Sequence, residues 1–464
     1  MPINHLESWI SLQIGHPRKA ILTRKALREW QKKKLLQTIV LAREHSPWYR
    51  ERLQEVFVPE NGDIDHILHT LPLTTADDLR THGQDMLCCS LADIQRVVTL
   101  QSSGTSGRPK RIFFTAADLE KTKEFFQHGM RLVAGPKDIV LIMLPSERDF
   151  DVGTLLLEAL NRAGFSAQVQ WPAHDPQRVA EAAGRIKANC LIGMPQHILP
   201  VARDPILARQ AGHSLRSVLL CSDYAAQCVR QTIARNLDCR VYLHYGLTES
   251  GLGGAVECLA GQGCHIREND LLFEVIDPKS GAAVSEGYDG ELVFTTLTRS
   301  GMPLLWYRTG DWGRLNYKRC SCGSILARLE NLQGRLDNVL YLPGEEKVSL
   351  PELDQALLAQ PGITSYTARL RDCNTHSSIK GDTLASNAEL AIEITTLPNP
   401  ESYRRDSARA AVSRIPAVYR ALTSSGLSLS ITRTEKHPYP GHTVKRTLMN
   451  TKNQPDGKIY AGTP

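Results

Sequence analysis

A loop rich in small polar residues is the first segment of the chain whose composition suits chemistry. The stretch QSSGTSGRPKRIFFT runs from Gln101 to Thr115 and carries Arg108 and Lys110 behind its glycines and hydroxyl residues. Small residues let the backbone approach a ligand closely, and their N–H and O–H groups can converge on an anion. The spacing is not that of a Walker loop. The loop is therefore a candidate triphosphate-binding loop, and the alternative is a flexible Gly/Ser hairpin.

Three more polar stretches lie further along the chain. HYGLTESG begins at His244 and places Glu249 beside hydroxyl donors, and LWYRTGDWGRL carries Asp311 in a Thr-Gly-Asp turn. GRLDNVL, residues 334–340, lies where the pattern of elements changes. Taken singly, Glu249 could be a solvated loop carboxylate, Asp311 a turn former and Tyr245 a core residue. Their occurrence in one chain favours a functional interpretation.

Cysteine and histidine side chains form a further group. Within ECLAGQGCH and CSCG stand Cys258, His265, Cys320 and Cys322. Zinc takes thiolate and imidazole ligands in a tetrahedral set of four, and a closed set of this kind is structural. The C-x-C spacing is tighter than the common C-x2-C, and Cys264 is a competing ligand. The sequence predicts a structural zinc site, with independent buried thiols and a surface histidine as the alternative.

The elements that must position these residues change character along the chain. Residues 20–45 have the pattern of a long amphipathic helix that ends at Ser46-Pro47, because proline cannot continue the hydrogen-bond ladder. From residue 96 to residue 247, apolar runs alternate with amphipathic segments, which predicts a mostly parallel sheet with helices on its faces. After Gly251, strands follow one another without long helices between them.

The predicted fold class is therefore α/β with two domains. A large N-terminal domain, residues 1–334, would contain mostly parallel sheets flanked by helices, with a β-rich subdomain at about residues 252–333. A small α+β domain, residues 335–464, would follow, and its longer helix would span residues 402–422.

Composition and charge restrict the class of protein. Of the 464 residues, 42% are hydrophobic and 22% charged, and the formal net charge is +6. These values are typical of soluble globular proteins and do not demand a nucleic acid partner. We expect no signal peptide and no membrane span, because no apolar run approaches the roughly 20 residues that a span needs. The odd number of cysteines, 11, then predicts reduced thiols in the cytoplasm.

The order and spacing of the four polar stretches resemble the adenylate-forming superfamily of acyl-CoA synthetases and peptide-synthetase adenylation domains. The likeness is greatest to the phenylacetate–CoA ligase branch. SPWYRERL (residues 46–53), LPLTTADDLR (71–80) and GELVFTTLT (290–298) resemble that branch as well, so the resemblance covers nearly the whole chain. Many members of the branch also carry the C-x6-H…C-x-C pattern.

The resemblance implies which residues bind the nucleotide. The positions matching the loop that binds the β- and γ-phosphates of ATP are Ser102, Ser103, Gly104, Thr105, Ser106, Gly107 and Lys110. Within the Y-G-x-T-E motif, Tyr245 would stack on adenine, Thr248 would touch the α-phosphate and Glu249 would hold Mg²⁺, a cation that prefers hard oxygen ligands. Gly246 of the same motif belongs to the nucleotide-binding positions.

The resemblance also assigns residues near the domain junction. Asp311 would accept hydrogen bonds from the ribose hydroxyls. Arg335 would contact the nucleotide, and Asp337 would be the hinge on which the small domain moves as a lid.

The implied reaction is ATP-dependent acid–CoA ligation of an aryl or arylacetic-type acid through an acyl-adenylate, giving acyl-CoA, AMP and pyrophosphate. The implied ligands are ATP, Mg²⁺, CoA, structural Zn²⁺ and a small carboxylic acid. We expect neither nucleic acid nor membrane as partner. Whether the chain forms a homodimer is left as an open alternative. The rival interpretations are an adenylating enzyme that does not use CoA, of the coenzyme adenylyltransferase or acyl-protein synthetase type, and a non-catalytic zinc-containing scaffold.

Three segments depart from the branch. SERDFDVG (residues 146–153) replaces a glycine-rich segment of the acyl pocket, and charges facing that pocket would disfavour phenylacetate. Cys221-Ser222-Asp223-Tyr224 replaces Gly-Ala-Glu-Pro near the adenine, where Asp223 would keep the acidic function. In PGHTVKRTL, Lys445 is the expected adenylation lysine because it is fully charged at neutral pH, and His442, directly after a glycine, is the alternative.

Overall fold

A computed structural model describes residues 4–17, 20–59, 62–100, 108–212, 214–372, 388–397, 403–424, 426–434, 446 and 448–450. The chain divides into two compact units. The first contains the described residues of Met1–Leu100 and Pro109–Asp337, and the second those of Gln101–Arg108, Asn338–Pro438 and Arg446–Pro464.

Helices and strands of the first unit follow the alternation expected from the sequence. Its helices are α1 (His5–Gln13), α2 (Arg24–His45), α3 (Pro47–Arg52), α4 (Ile64–Thr70), α5 (Ala76–His82), α6 (Ala116–Met130), α7 (Val152–Arg162), α8 (Pro176–Ile186), α9 (Pro195–Arg203), α10 (Pro205–Gly212) and α11 (Gln227–Asn236). Its strands are β1 (Ile94–Leu100), β2 (Lys110–Thr115), β3 (Ile139–Met143), β4 (Ser166–Val169), β5 (Cys190–Gly193), β6 (Ser217–Leu220), β7 (Arg240–Tyr245), β8 (Ala255–Glu257), β9 (Cys264–Ile266), β10 (Leu271–Ile276), β11 (Gly290–Thr296), β12 (Tyr307–Asn316) and β13 (Arg328–Glu330).

One sheet of eleven strands organises the first unit, in the order β10-β11-β12-β13-β9-β8-β7-β6-β5-β3-β4. Strands β3 to β7 pair in parallel. Beyond β7 the pairing becomes antiparallel. The parallel part agrees with the predicted alternation. The β-rich segment, however, is not a separate sheet, because β8 pairs directly with β7 and extends the same hydrogen-bonded ladder.

Strands β1 and β2 depart from the predicted parallel pattern. They pair antiparallel as a separate two-stranded sheet, with Leu100 opposite Lys110. A short connection joins them, whereas parallel neighbours need a crossover of a dozen residues or more. The connection is residues 101–109, which include the predicted phosphate loop.

Local capping explains where the helices begin. Helix α2 starts at Arg24 because the Thr23 side chain accepts a hydrogen bond from the Ala26 N–H, and Ser46 then caps α3, which has Pro47 in its first turn. Thr115 and Asp118 form a reciprocal capping box that starts α6 directly after β2. Among the described residues, no helix combines the length and apolar content that crossing a bilayer requires.

The second unit contains a four-stranded sheet in the order β18-β17-β16-β19 and a hairpin of β14 and β15. Its elements are β14 (Val339–Tyr341), β15 (Lys347–Ser349), α12 (Leu350–Leu357), β16 (Ile363–Asp372), β17 (Ala388–Thr396), α13 (Arg405–Ser413), α14 (Pro416–Ser424), β18 (Leu427–Thr434) and β19 (Met449–Asn450). The single helix expected at 402–422 is two helices, because Pro416 cannot continue the first and restricts the residue before it.

A buried ion pair fixes the last described segment of the second unit. Arg446 is 5% exposed, and its Nη1 lies 2.6 Å from Oδ1 of the fully buried Asp354. The Asn338 side chain donates to the Arg446 carbonyl at 2.9 Å and accepts from the Leu448 N–H at 2.8 Å. The residue that follows Asp337 and the residue that follows Lys445 are thus joined.

Candidate functional site

A buried carboxylate is the centre of the predicted site. Glu249 is 3% exposed and forms an ion pair with Lys110 Nζ. The Tyr307 hydroxyl donates to Glu249 Oε1 at 3.0 Å. Burial, and then the nearby Glu249 carboxylate, raises the pKa of Tyr307 well above its ordinary value, so the phenol keeps the proton that it donates. Residues from β2, from the segment after β7 and from β12 therefore meet at one oxygen.

Arg299 holds the backbone around this carboxylate. Its side chain is 7% exposed and donates to the carbonyl of Glu249 at 2.8 Å and to the carbonyl of Phe113 at 2.8 Å. The guanidinium also lies 4.5 Å from the centre of the Phe114 ring. This residue ties β2 to the segment that carries Glu249.

Asp311 forms a second cluster in the first unit. The Tyr245 hydroxyl donates to Asp311 Oδ2 at 2.8 Å, and the Asp311 N–H donates to Thr309 Oγ1 at 2.9 Å. Gly310 has φ of 72°, and a Cβ there would lie 3.1 Å from Arg335 Nη2, so the turn needs a glycine. Burial and Asp311 raise the pKa of Tyr245 well above its usual range.

Arg335 lies against the same turn. A backbone bridge joins Arg335 to Asp311, and Arg335 Nε lies 3.0 Å from Asp337 Oδ1. Burial lowers the pKa of Arg335, but Asp337 and Asp311 more than offset that effect and raise the pKa above its ordinary value. Tyr245, Asp311, Arg335 and Asp337 are thus brought together, as a nucleotide site would require.

The remaining predicted positions are placed as follows. Asp223 follows β6, and its Oδ1 accepts from the Tyr224 N–H at 2.9 Å. Thr248 is half-buried beside Glu249. Gly246 stands where a Cβ would lie 2.7 Å from His244 Cε1 and 2.8 Å from the Leu252 carbonyl oxygen. The predicted positions from Ser102 to Gly107, and Lys445 with its alternative His442, lie outside the described residues.

A cavity opens beside these clusters. Its empty volume is about 470 Å³, including the mouth. The lining is mostly apolar and comprises Phe125, Phe126, Gly129, Met130, Leu144, Val152, Leu156, Ile192, Leu219, Cys221, Ser222, His244, Leu252 and Val256. Leu144, Ile192 and Leu219 come from the carboxyl ends of β3, β5 and β6, the edge of a parallel sheet where ligands bind. This cavity suits the acyl part of a small acid.

The charged segment 146–153 does not put its charges into this cavity. Glu147, Arg148 and Asp149 are exposed, whereas Val152 lines the wall. Asp151 accepts the N–H groups of Glu147 and Arg148 at 3.1 and 3.0 Å and so closes the turn. The expectation that these charges could disfavour an apolar acid therefore does not apply.

Four potential metal ligands lie together: one directly after β8, one within β9 and two in the loop before β13. One ligand atom each from Cys258, His265, Cys320 and Cys322 lies within 4.8 Å of every other. Cys258 Sγ and Cys320 Sγ are 3.8 Å apart, and Cys322 Sγ lies 3.4 Å from His265 Nε2. Two sulfurs at about 2.3 Å from a common tetrahedral zinc would be about 3.8 Å apart, so the donor set fits this ion.

Neighbouring groups orient these ligands. His265 Nδ1 lies 3.3 Å from the Leu326 carbonyl, which leaves Nε2 toward the thiols and resembles the outer hydrogen bond of zinc-bound histidines. Cys264, the competing ligand, is not part of the group. Its Sγ lies 3.6 Å from the Leu243 carbonyl, because adjacent residues of β9 point to opposite faces.

Comparisons with known proteins agree with this architecture. Residues 22–298 match the model of the AMP-binding enzyme family, and the chain belongs to that family. It is a member of the adenylate-forming superfamily, in the phenylacetate–CoA ligase branch. The phenylacetate-coenzyme A ligase of Thermus thermophilus is 29% identical over 359 residues, 75% of this chain and 79% of that protein. The enzyme of the same name from Escherichia coli is 27% identical over 328 residues, 68% of this chain and 73% of that protein.

A solved structure shares the fold. The structure of 2-hydroxyisobutyryl-CoA ligase with 2-HIB-AMP matches with a TM-score of 0.72 at 17% identity, over 92% of this chain and 90% of that one. The predicted α/β fold is thus confirmed.

Sequence reasoning missed Tyr307 and Arg299. Tyr307 stands four residues before Asp311, and Arg299 stands in a segment without a distinct pattern. Both residues can be recognised only in the folded structure, because what marks each of them is its contact with atoms of Glu249.

We expect Glu249→Gln to lower pyrophosphate release from ATP by about 100-fold or more, the scale of losing one group that stabilises a transition state. Glutamine keeps the shape and can still accept from Tyr307, but Lys110 loses its ion-pair partner, so the melting temperature should fall as well as the rate. Glu268→Gln is the matched control, because Glu268 is also buried and paired, 2.5 Å from Arg24. Near-normal release by folded Glu249→Gln would refute the role of Glu249.

We expect one zinc ion per chain by elemental analysis of protein purified without added metal. Cys320→Ser should lose the metal and lower the melting temperature more than the rate constant, because a structural zinc contributes to folding. Cys264→Ser, with a neighbouring thiol outside the group, should retain the metal. Active, folded protein with a zinc content near zero would end the assignment.

Proposed function

We propose that this chain is an ATP-dependent acid–CoA ligase that forms acyl-CoA, AMP and pyrophosphate through an acyl-adenylate. The observation that carries the proposal is the buried Glu249 carboxylate, held by Lys110 and Tyr307. It stands four residues after Tyr245, whose hydroxyl donates to Asp311. An apolar cavity opens at the same edge of the sheet. Family membership and the names of the relatives support the same reaction.

The nucleotide side of the reaction rests on charge and hydrogen bonding. Asp311, whose carboxylate already accepts from Tyr245, would accept from the ribose hydroxyls, and Arg335 would offset the negative charge of the phosphates. Lys110 would contribute positive charge toward the β- and γ-phosphates together with Ser102–Gly107. Glu249 would hold Mg²⁺, which would supply positive charge to the phosphates. The protein's share of catalysis would be positioning and electrostatic stabilisation.

The acid would be an aryl or arylacetic acid. Phe125, Phe126 and Met130 give the cavity a wall suited to a flat apolar ring. The relatives named phenylacetate-coenzyme A ligase support this substrate class.

The small C-terminal domain would act as a lid that moves about Asp337. The second unit begins at Asn338, directly after that residue. Arg446 is anchored to Asp354, so the chain directly after Lys445 is held firmly within the second unit. We propose Lys445 as the cation that neutralises developing charge during adenylation.

The thiol and imidazole cluster would hold a structural zinc. Cys258, His265, Cys320 and Cys322 form a complete set of four, which leaves no open position for catalysis. A reducing compartment such as the cytoplasm would keep these thiols available.

The test is pyrophosphate release from ATP with a panel of carboxylic acids, followed by AMP release with and without CoA. We expect acid-dependent pyrophosphate release and AMP release only when CoA is present. AMP release with another acceptor in place of CoA would favour an adenylating enzyme of the rival class. Absence of any acid-dependent release from folded protein that ATP stabilises against heat would contradict the proposal.

We expect Lys445→Ala to abolish acyl-adenylate formation yet still convert a supplied acyl-adenylate and CoA to the thioester. The reason is that the small domain would rotate for the second half-reaction, so that Lys445 would act only in the first. His442→Ala is the paired variant. Normal adenylation by Lys445→Ala together with loss in His442→Ala would transfer the role to the histidine.

A further inference from the structure

His244 is a polar ring in a wall that is otherwise almost entirely apolar. The residue lies on β7, directly before Tyr245, and side chains of adjacent strand residues point to opposite faces. Tyr245 therefore reaches Asp311 on one face, while the imidazole of His244 lines the cavity on the other, with its centre 6.1 Å from that of the Phe125 ring.

His244 is half-buried, and its Nε2 atom is short of a hydrogen bond. His244 Nε2 is buried, and no atom of the described residues donates to it or accepts from it. Burial, and then the positive charge of Arg267, lowers the pKa of His244 to about 4, so the ring is neutral at pH 7. A neutral imidazole has one N–H donor and one acceptor nitrogen, and burying either without a partner costs stability.

Two glycines make room for this ring. A Cβ at Gly246 would lie 2.7 Å from His244 Cε1, and a Cβ at Gly253 would lie 3.1 Å from His244 Nε2 and 2.6 Å from Phe125 Cε1. The ring is therefore fixed in place by its surroundings. A leucine or isoleucine would complete the apolar wall without an unsatisfied polar atom, so the imidazole has a cost that a substrate group could offset.

We propose that His244 selects acids whose apolar body carries a neutral hydrogen-bonding group, such as the hydroxyl of a hydroxylated aryl or arylacetic acid. This inference rests on the proposed function, since it concerns which acid enters the cavity. A hydroxyl can both donate and accept, so it satisfies the imidazole in either tautomer. A site built to bond such a group discriminates against the analogue that lacks it, because the buried partner is then left unpaired. Because the ring is neutral, a charged substituent would find no counter-ion in it.

The test compares kcat/KM for pyrophosphate release with phenylacetate and its three monohydroxylated ring isomers, and with benzoate and its three isomers. Wild-type protein should prefer at least one hydroxylated isomer over its parent by about tenfold or more. In His244→Leu that preference should fall at least tenfold. His244→Gln, which retains a donor and an acceptor, should keep part of it.

Phe126→Leu is the matched control, because it changes the volume of the same wall without changing its polarity. Parent and hydroxylated acid should then shift together, with their ratio nearly constant. A wild-type preference for the parent acids, or an equal loss for both acids in His244→Leu, would overturn the inference while leaving the ligase intact. Failure of all eight acids to release pyrophosphate would instead count against the proposed function and its substrate class. If His244→Leu does not fold, the inference is still tested by the wild-type ratio of kcat/KM between hydroxylated and parent acid and by the same ratio in His244→Gln.

Discussion

The charge on Glu249 is the constraint to which the rest of the first unit conforms. A carboxylate that is 3% exposed must be paired, since an isolated buried charge is costly. Lys110 and Tyr307 supply the partners, so β2 and β12 must both reach the segment that follows β7. Arg299 then fixes the two backbones between which the carboxylate lies. The mixed sheet provides this meeting point, because its pairing changes from parallel to antiparallel directly after β7.

The alternation of side chains along β7 separates two environments on one strand. The Tyr245 hydroxyl meets Asp311 on one face of the sheet, and His244 lines the cavity beside α6 on the other. Under the proposed function, neighbouring residues of β7 would serve the nucleotide side and the acyl side. The glycines at 246 and 253 are needed where the chain turns back toward β8, because a side chain at either position would strike the histidine ring.

Residue type and order along the chain were sufficient to single out Glu249, Asp311 and the four thiol and imidazole side chains that the structure brings together. The roles of these residues stay predictions. Tyr307, Arg299 and His244 were not singled out in this way, since each is defined by what it meets in space. The alternation of strand and helix predicted the parallel half. It could not show that the β-rich segment extends the same sheet, because strand partners are not encoded by periodicity. Lys445 and the positions Ser102–Gly107 remain predictions.

The cluster of Cys258, His265, Cys320 and Cys322 also affects how a newly synthesised chain folds. Cys258 and Cys320 stand 62 residues apart, and the segment between them contains β9 to β12, with Arg299, Tyr307 and Asp311. Suppose that an ion joining the two ends of this segment acts as a covalent cross-link does over a loop of similar length. It would then stabilise the folded state by about 4 kcal/mol, because it lowers the chain entropy of the unfolded state. Newly synthesised chains would then depend on the cell's zinc supply to complete the half of the sheet that is proposed to hold the nucleotide. Metal shortage would reduce the number of competent molecules while leaving the rate of each one unchanged.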